Sequence, residues 1–151
     1  MKTEPDVFSI DDLEARGREP WSGVRNYQAR NFMRDAMAEG DGVLLYHSNC
    51  PEPGVAGLAR VAGKAYPDPT QFDPKNEYFD PKSPRENPRW VLVDVAFEKR
   101  FAAVLPLSWM KGRPELAHLA CLQRGNRLSI TPVDPTSWSF LLAEARRIER
   151  R

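Results

Sequence analysis

The sequence predicts an α+β domain built on a small curled sheet or barrel with helices packed around it. Three observations predict it: short apolar runs bounded by turn signals, helical periodicity at 26–38 and at the carboxyl end, and the placing of those helices between sequentially adjacent strands. At 151 residues and 41% hydrophobic content the chain can bury one core but not comfortably two, so residues 1–151 are expected to form a single unit.

Each element follows from its local pattern. From Asn26 to Ala38 the residues Phe32, Met33, Ala36 and Met37 recur at helical spacing, with Gly40 as the expected stop and Arg30 and Arg34 on the outer face. Val43–Tyr46 and Val55–Val61 read as a strand pair around the turn SNCPEPG. Trp90–Phe97 alternates, with Val91, Val93, Val95 and Phe97 on one face. Phe101–Leu105 is expected to pair with it across the charged turn EKR. Pro114–Leu122 reads as a short helix and Leu128–Val133 as a last strand. The final helix has Asp134 as N-cap, Pro135 as first residue, and a stripe of Trp138, Leu141, Leu142, Ala145 and Ile148. Residues 64–88 hold six prolines, but Tyr66, Phe72, Tyr78 and Phe79 make this segment too aromatic for a flexible linker. It is expected to be ordered, with Phe72 or Tyr78 substantially buried.

Composition narrows the function classes. No apolar run approaches the roughly 20 residues of a membrane span, and the acidic amino end is unlike a signal peptide, so a soluble, cytoplasmic, monomeric protein is expected. Cys50 and Cys121 lack the spacing of a disulfide framework or a zinc site, and neither a metal nor a cofactor is expected. The net charge of +1 conceals segregation. Residues 1–98 carry 12 Lys and Arg against 17 Asp and Glu, a sum of −5, whereas residues 99–151 carry 10 against 4, a sum of +6. Such a distribution suits either a solvated basic face or a phosphate-binding one.

Three segments carry candidate chemistry. In WSGVRNYQARN, residues 21–31, Trp21 stands before a glycine turn and a helix start whose N–H groups could meet a phosphate or base oxygen, with Arg25, Arg30 and Arg34 nearby. Equally, Trp21 could pack under the loop and Asn26 merely cap the helix. In LLYHSNCPEPG, residues 44–54, an apolar strand ends in Tyr46, His47, Ser48 and Asn49, which could stack on or hydrogen-bond a base, or form a plain Asx-type turn. In CLQRGNRLSITPV, residues 121–133, Arg124 and Arg127 flank a Gly-Asn turn and could clamp a nucleic-acid backbone, or be solvated. A Cys50/His47 thiol enzyme is the third choice, since no group is placed to orient either histidine ring and no phosphate loop, nucleophile elbow or metal-ligand spacing is present.

Taken in order, MKTEP at 1–5, WSGVRNYQARNFMR at 21–34, LLYHSNCPEPGVAGLARV at 44–61, AYPDPTQFDP at 65–74, DPKS and PRW within 80–90, and GNRLSITPV at 125–133 resemble the EVE domain family. The resemblance covers nearly the whole chain. It implies a PUA-like fold, a curled β-barrel with helices around it, related to the YTH domains that read methylated adenine. It implies binding rather than catalysis: an extruded, modified base of DNA or RNA, modified cytosine in DNA among them, held in an aromatic-walled pocket. Here that pocket would be lined by Trp21, Val24 and Asn26, by His47, Ser48 and Asn49, and by the edge strand Lys2, Thr3 and Glu4. Relatives tend to carry a short apolar stretch with a Trp ahead of MKTEP, so the first strand is expected to be abbreviated here or to start upstream.

The energetics suit this reading. Everting a base costs a few kcal/mol, while one aromatic stack returns about 1–3 kcal/mol. Burying a methyl group beside Trp21 and Val24 adds only about 0.8 kcal/mol, so sharp selection would need Asn26, Ser48 or Asn49 to hydrogen-bond the modification. A sensor of small molecules or nucleotide metabolites using the same pocket is the second reading.

Overall fold

A computed structural model describes residues 1–151. Five strands form one curled sheet in the order β1 (Lys2–Thr3), β3 (Gly42–His47), β4 (Gly54–Val61), β7 (Asp94–Pro106) and β2 (Arg18–Pro20). All neighbours are antiparallel except β1, which runs parallel to β3 with Lys2 opposite Tyr46 and Thr3 opposite His47. A separate pair, β5 (Tyr66–Pro67) and β6 (Val91–Leu92), ties down the two ends of the long proline-rich segment.

Strand alternation divides the core. Val43 and Leu45 join Trp21, Val24, Ala29 and Met33 on one face, whereas Leu44 and Tyr46 pack with Leu141, Ala145 and Met110 on the other. Strand β7 serves both, with Val95 in the first cluster and Phe101 and Leu105 in the second. Its register against β4 shifts at two places, and such irregularities bend a strand. Glu98, Lys99 and Arg100 therefore lie exposed within one continuous 13-residue strand, and the expected hairpin across EKR does not form.

The helices are α1 (Ile10–Arg16), α2 (Tyr27–Asn31), α3 (Leu107–Lys111) and α4 (Pro135–Glu149). Ser9 and Asp12 form a reciprocal capping box that starts α1, and Gly17, at φ 77°, ends it. Helix α2 is shorter than expected: it passes into a π-turn at Phe32–Ala36, and Met37, in extended conformation, stops it before Gly40 is reached. The stretch 114–122 holds two 3₁₀ turns, Pro114–Leu116 and Ala120–Leu122, rather than a helix. Its buried Leu116 and Leu119 are three apart, the 3₁₀ repeat. Residues 128–133 form no strand, since Pro132 has no N–H to give and the only backbone bond joining this stretch to β1 is Lys2 N–H to Ser129 O at 2.8 Å. Helix α4 starts as expected, with Asp134 accepting from Ser137 N and Pro135 in the first turn.

The segment between β5 and β6 is ordered by polar side chains rather than by its aromatics. Asp68, Gln71 and Ser83 are buried. Gln71 donates to the carbonyls of Asp68 and Trp90 and accepts from Ser83 Oγ and Trp90 N. Tyr78 is 38% exposed and Phe72 is more deeply placed, so of the two aromatics expected to be buried it is Phe72 that packs on the domain.

Candidate base-binding site

Trp21 and Val24 lie in the loop between β2 and α2. Trp21 donates its N–H to Val93 O at 2.9 Å and meets the ring of Phe8 edge-on, with centroids 5.9 Å apart. It is only 9% exposed. Trp21 and Val24 therefore form a floor packed into the core. Between them Gly23, at φ 86°, adopts a backbone that favours glycine, and a Cβ there would stand 2.5 Å from the Tyr78 ring.

The end of β3 approaches this floor through residues 3–10. Thr3 Oγ1 donates to Phe8 O at 2.8 Å, and Ser48 N–H donates to Thr3 O at 2.9 Å. Asn49, at φ 51°, donates to Glu4 Oε1 at 3.3 Å. His47 Nε2 accepts the N–H of Ile10, the first residue of α1, at 3.0 Å, which fixes the ring with its proton on Nδ1. Burial holds the His47 pKa below its usual 6.5 despite Asp11 nearby, so the ring is neutral at pH 7. The floor and the strand end thus share Phe8, Thr3 and Ile10 as connectors. Tyr46 does not join them: strand alternation turns it to the opposite face, where Lys2 Nζ lies 5.7 Å from its ring.

Asn26 caps α2 through Oδ1, accepting from Ala29 N at 3.0 Å, and the residue itself is exposed. The arginines divide into two groups. Arg25 is spent internally: it pairs with Asp68 at 3.1 Å and donates to Thr70 Oγ1 and twice to Tyr78 O. Burial raises the Asp68 pKa, but hydrogen bonds from Thr70, Gly23 N–H and Arg25 outweigh it and hold the carboxylate ionised. Arg30 donates to Arg89 O and Asn31, and Arg34 pairs with its neighbour Asp35. Arg124 and Arg127, by contrast, are exposed and make neither an ion pair nor a side-chain hydrogen bond.

Sequence patterning overlooked Phe8, Asp68 and Tyr78. Phe8 precedes the S-x-x-D box of α1, and Asp68 opens the turn D-P-T, so both positions had a local signal. The Tyr78 contact with Gly23 is long-range and had none.

A cleft of about 640 Å³ lies elsewhere. It runs along β3 from Gly42 to Tyr46, between the π-turn and residues 129–133, and β1 with Met1 covers the Leu44–Tyr46 end of that edge. Strand β1 sits between β3 and Ser129, with Tyr46 N–H bonded to Met1 O and Lys2 N–H to Ser129 O. The cleft continues that line and has the shape of a strand position rather than of a base pocket. No three His, Cys, Asp or Glu side chains converge as metal ligands, and no helix is long and apolar enough to cross a membrane.

The family model for the EVE domain matches residues 1–144. Human thymocyte nuclear protein 1 is 42% identical over 95% of this chain and 71% of its own length, and the chicken protein 44% identical over 95% and 66%. A Pseudomonas syringae crystal structure superposes with TM-score 0.92 at 48% identity, covering 96% of this chain and 97% of the other. Human THYN1 protein, solved in complex with 5-methylcytosine containing DNA, superposes with TM-score 0.90 at 41% identity, covering 96% and 95%. The curled sheet with four helices described above is therefore the PUA-like fold of those neighbours. The chain belongs to the EVE domain family.

Proposed function

We propose that this protein binds DNA by taking one everted, modified base into the depression floored by Trp21 and Val24, and that it does so without catalysis. The observation that carries the reading is the junction itself. Hydrogen bonds tie the polar strand end His47–Asn49 to residues 3–10, and Phe8 of that stretch meets the ring of Trp21, so an apolar floor and a fixed set of polar groups lie side by side for a flat ligand. The human relative bound to 5-methylcytosine DNA supports modified cytosine as the ligand class.

The division of labour follows from what each side chain already does. Trp21 and Val24 offer an apolar niche to a methyl group, worth about 0.8 kcal/mol and hence a few-fold in affinity. The exposed amide of Asn26 and the carbonyl of Asn49 remain available to a base edge, while Arg124 and Arg127 can serve phosphates. His47 supports the non-catalytic reading, since its Nε2 lone pair is engaged by Ile10 N–H and cannot take a proton from Cys50.

Fluorescence titration with matched oligonucleotides carrying cytosine or 5-methylcytosine tests this, with the free modified nucleosides in parallel. Tighter binding of the modified strand is expected. Binding of a free nucleoside as strong as that of the strand would favour a metabolite sensor, and equal affinity for both strands would remove the pocket.

A further inference from the structure

The proposed base site makes no use of the cleft beside β3, whose walls are shaped for a strand. Strand β1 covers the β3 edge only as far as the Leu44 carbonyl, which accepts the Met1 amine at 2.9 Å. Side chains alternate along β3, and Tyr46 N–H donates to Met1 O, so the backbone groups of Gly42, Leu44 and Tyr46 all address this edge. The Leu44 N–H and the Gly42 carbonyl therefore face the cleft beyond Met1, and no backbone bond joins them to residues 129–133 across it. Open strand groups at a sheet edge are a template for an added strand.

The walls suit side chains that alternate between two apolar faces. Phe32 and Met37, at the two ends of the π-turn, line the cleft on the side of Val43, and Leu119, Trp138 and Leu141 line it on the side of Leu44. The Trp138 ring lies over Gly42, where a Cβ would stand 2.5 Å from it. At the β1 end the line closes on a cation. The Met1 amine donates one hydrogen bond, to Leu44 O, and has no carboxylate partner. Of the acids on the cleft, Asp41 accepts Ala38 N–H and Glu98 pairs with Arg60. Burial pushes the amine pKa down to about 6, with Cys121 opposing and Lys2 adding to the shift, so an anion brought to it would be matched by a proton.

We infer that this cleft binds the carboxyl-terminal end of an extended apolar peptide of another protein. The peptide runs parallel to β3 and in line with β1, its terminal carboxylate on the Met1 amine, one of its carbonyls on Leu44 N–H and one of its N–H groups on the Gly42 carbonyl. A second copy of this chain is the wrong occupant, because its own carboxyl end, R-R-I-E-R-R, is too charged for apolar walls. A fatty carboxylate would satisfy the amine and the walls but would leave the two strand groups without partners.

The test titrates the full, ¹⁵N-labelled chain with the tripeptide N-acetyl-Ala-Val-Val, with its carboxyl-terminal amide, and with decanoate. The peptide acid is expected to bind with a dissociation constant under about 1 mM, and the amide at least about tenfold more weakly, the scale of one charge-assisted hydrogen bond. At saturation the Leu44 amide should shift and its exchange with solvent should slow several-fold. A chain with Ala-Val-Val joined ahead of Met1 should fill the cleft itself and lose the peptide. The inference is overturned if the acid does not bind, if acid and amide bind alike, if the Leu44 amide stays unprotected, or if the extended chain binds the peptide undiminished. Decanoate binding as tightly as the peptide would also overturn it, since the ligand would then be a lipid carboxylate and not a strand.

Discussion

The segment between β5 and β6 and the segment 123–133 are both irregular, proline-bearing connections laid against the sheet, yet they are held by opposite means. In the first, buried Asp68, Gln71 and Ser83 satisfy the backbone, and Arg25 spends its charge on Asp68 and the Tyr78 carbonyl. In the second, Gln123 and Asn126 reach back to the carbonyls of Ala117, Leu119 and Ala120, and Arg124 and Arg127 are left in solvent without partners. An arginine already paired and partly desolvated cannot turn to a phosphate without stranding its carboxylate, whereas a free one can. The first segment thus holds the Trp21 loop in place, and the second keeps two unpaired arginines, which the proposed reading gives to a nucleic-acid backbone.

The difference can be broken from either side. Trp21→Ala should have the largest effect, destabilising the fold by about 3–5 kcal/mol in a denaturant titration, because the ring is almost wholly buried. A loss under about 1 kcal/mol would show that Trp21 is an open wall instead of a floor. Asp68→Ala should follow, at about 3 kcal/mol, since it leaves Gly23 N–H and Arg25 without their acceptor. It should also free Tyr78, seen as faster proteolysis between residues 73 and 88.

Arg124→Ala and Arg127→Ala should leave stability within about 0.5 kcal/mol. Each should weaken binding of modified and unmodified strands alike, and each should lower the dependence of log K on log salt by about one phosphate contact. Selective loss of the modified strand would place them in the pocket.

The smallest effect concerns His47. Its folded pKa is depressed below 6.5 by burial, so the stability that its neutral form supports is fully present above pH 6.5 and is lost as pH falls through the folded pKa. Asp11 opposes the shift. His47→Gln should flatten the stability profile below pH 6.5 relative to wild type, and an unchanged slope would contradict the neutral acceptor role.

What was legible in the sequence follows physical range. The cap of α4 and the pairing of β3 with β4 rest on nearby signals and read directly from Asp134 and from two apolar runs around the turn SNCPEPG, while the cap of α2 by Asn26 was one of two open readings. The α1 capping box, Ser9 with Asp12, and its Gly17 stop were equally local and passed unread. The charged triplet 98–100 misled because turn chemistry and a bent, solvent-facing strand demand the same residues. At the site, the strand end and the Trp21 loop stood out as unusual strings. That Tyr46 faces away follows from strand period alone, but the spending of Arg25 on Asp68, 43 residues distant, depends on tertiary contact.

Base eversion is the central claim, and it can be measured directly with a duplex carrying 5-methylcytosine opposite or beside 2-aminopurine, whose fluorescence rises when its neighbour leaves the stack. Saturating protein should brighten the modified duplex, and do so more than the unmodified one at equal occupancy. Binding without brightening would mean that the duplex is held closed and that no base is taken up at the Trp21–Val24 floor.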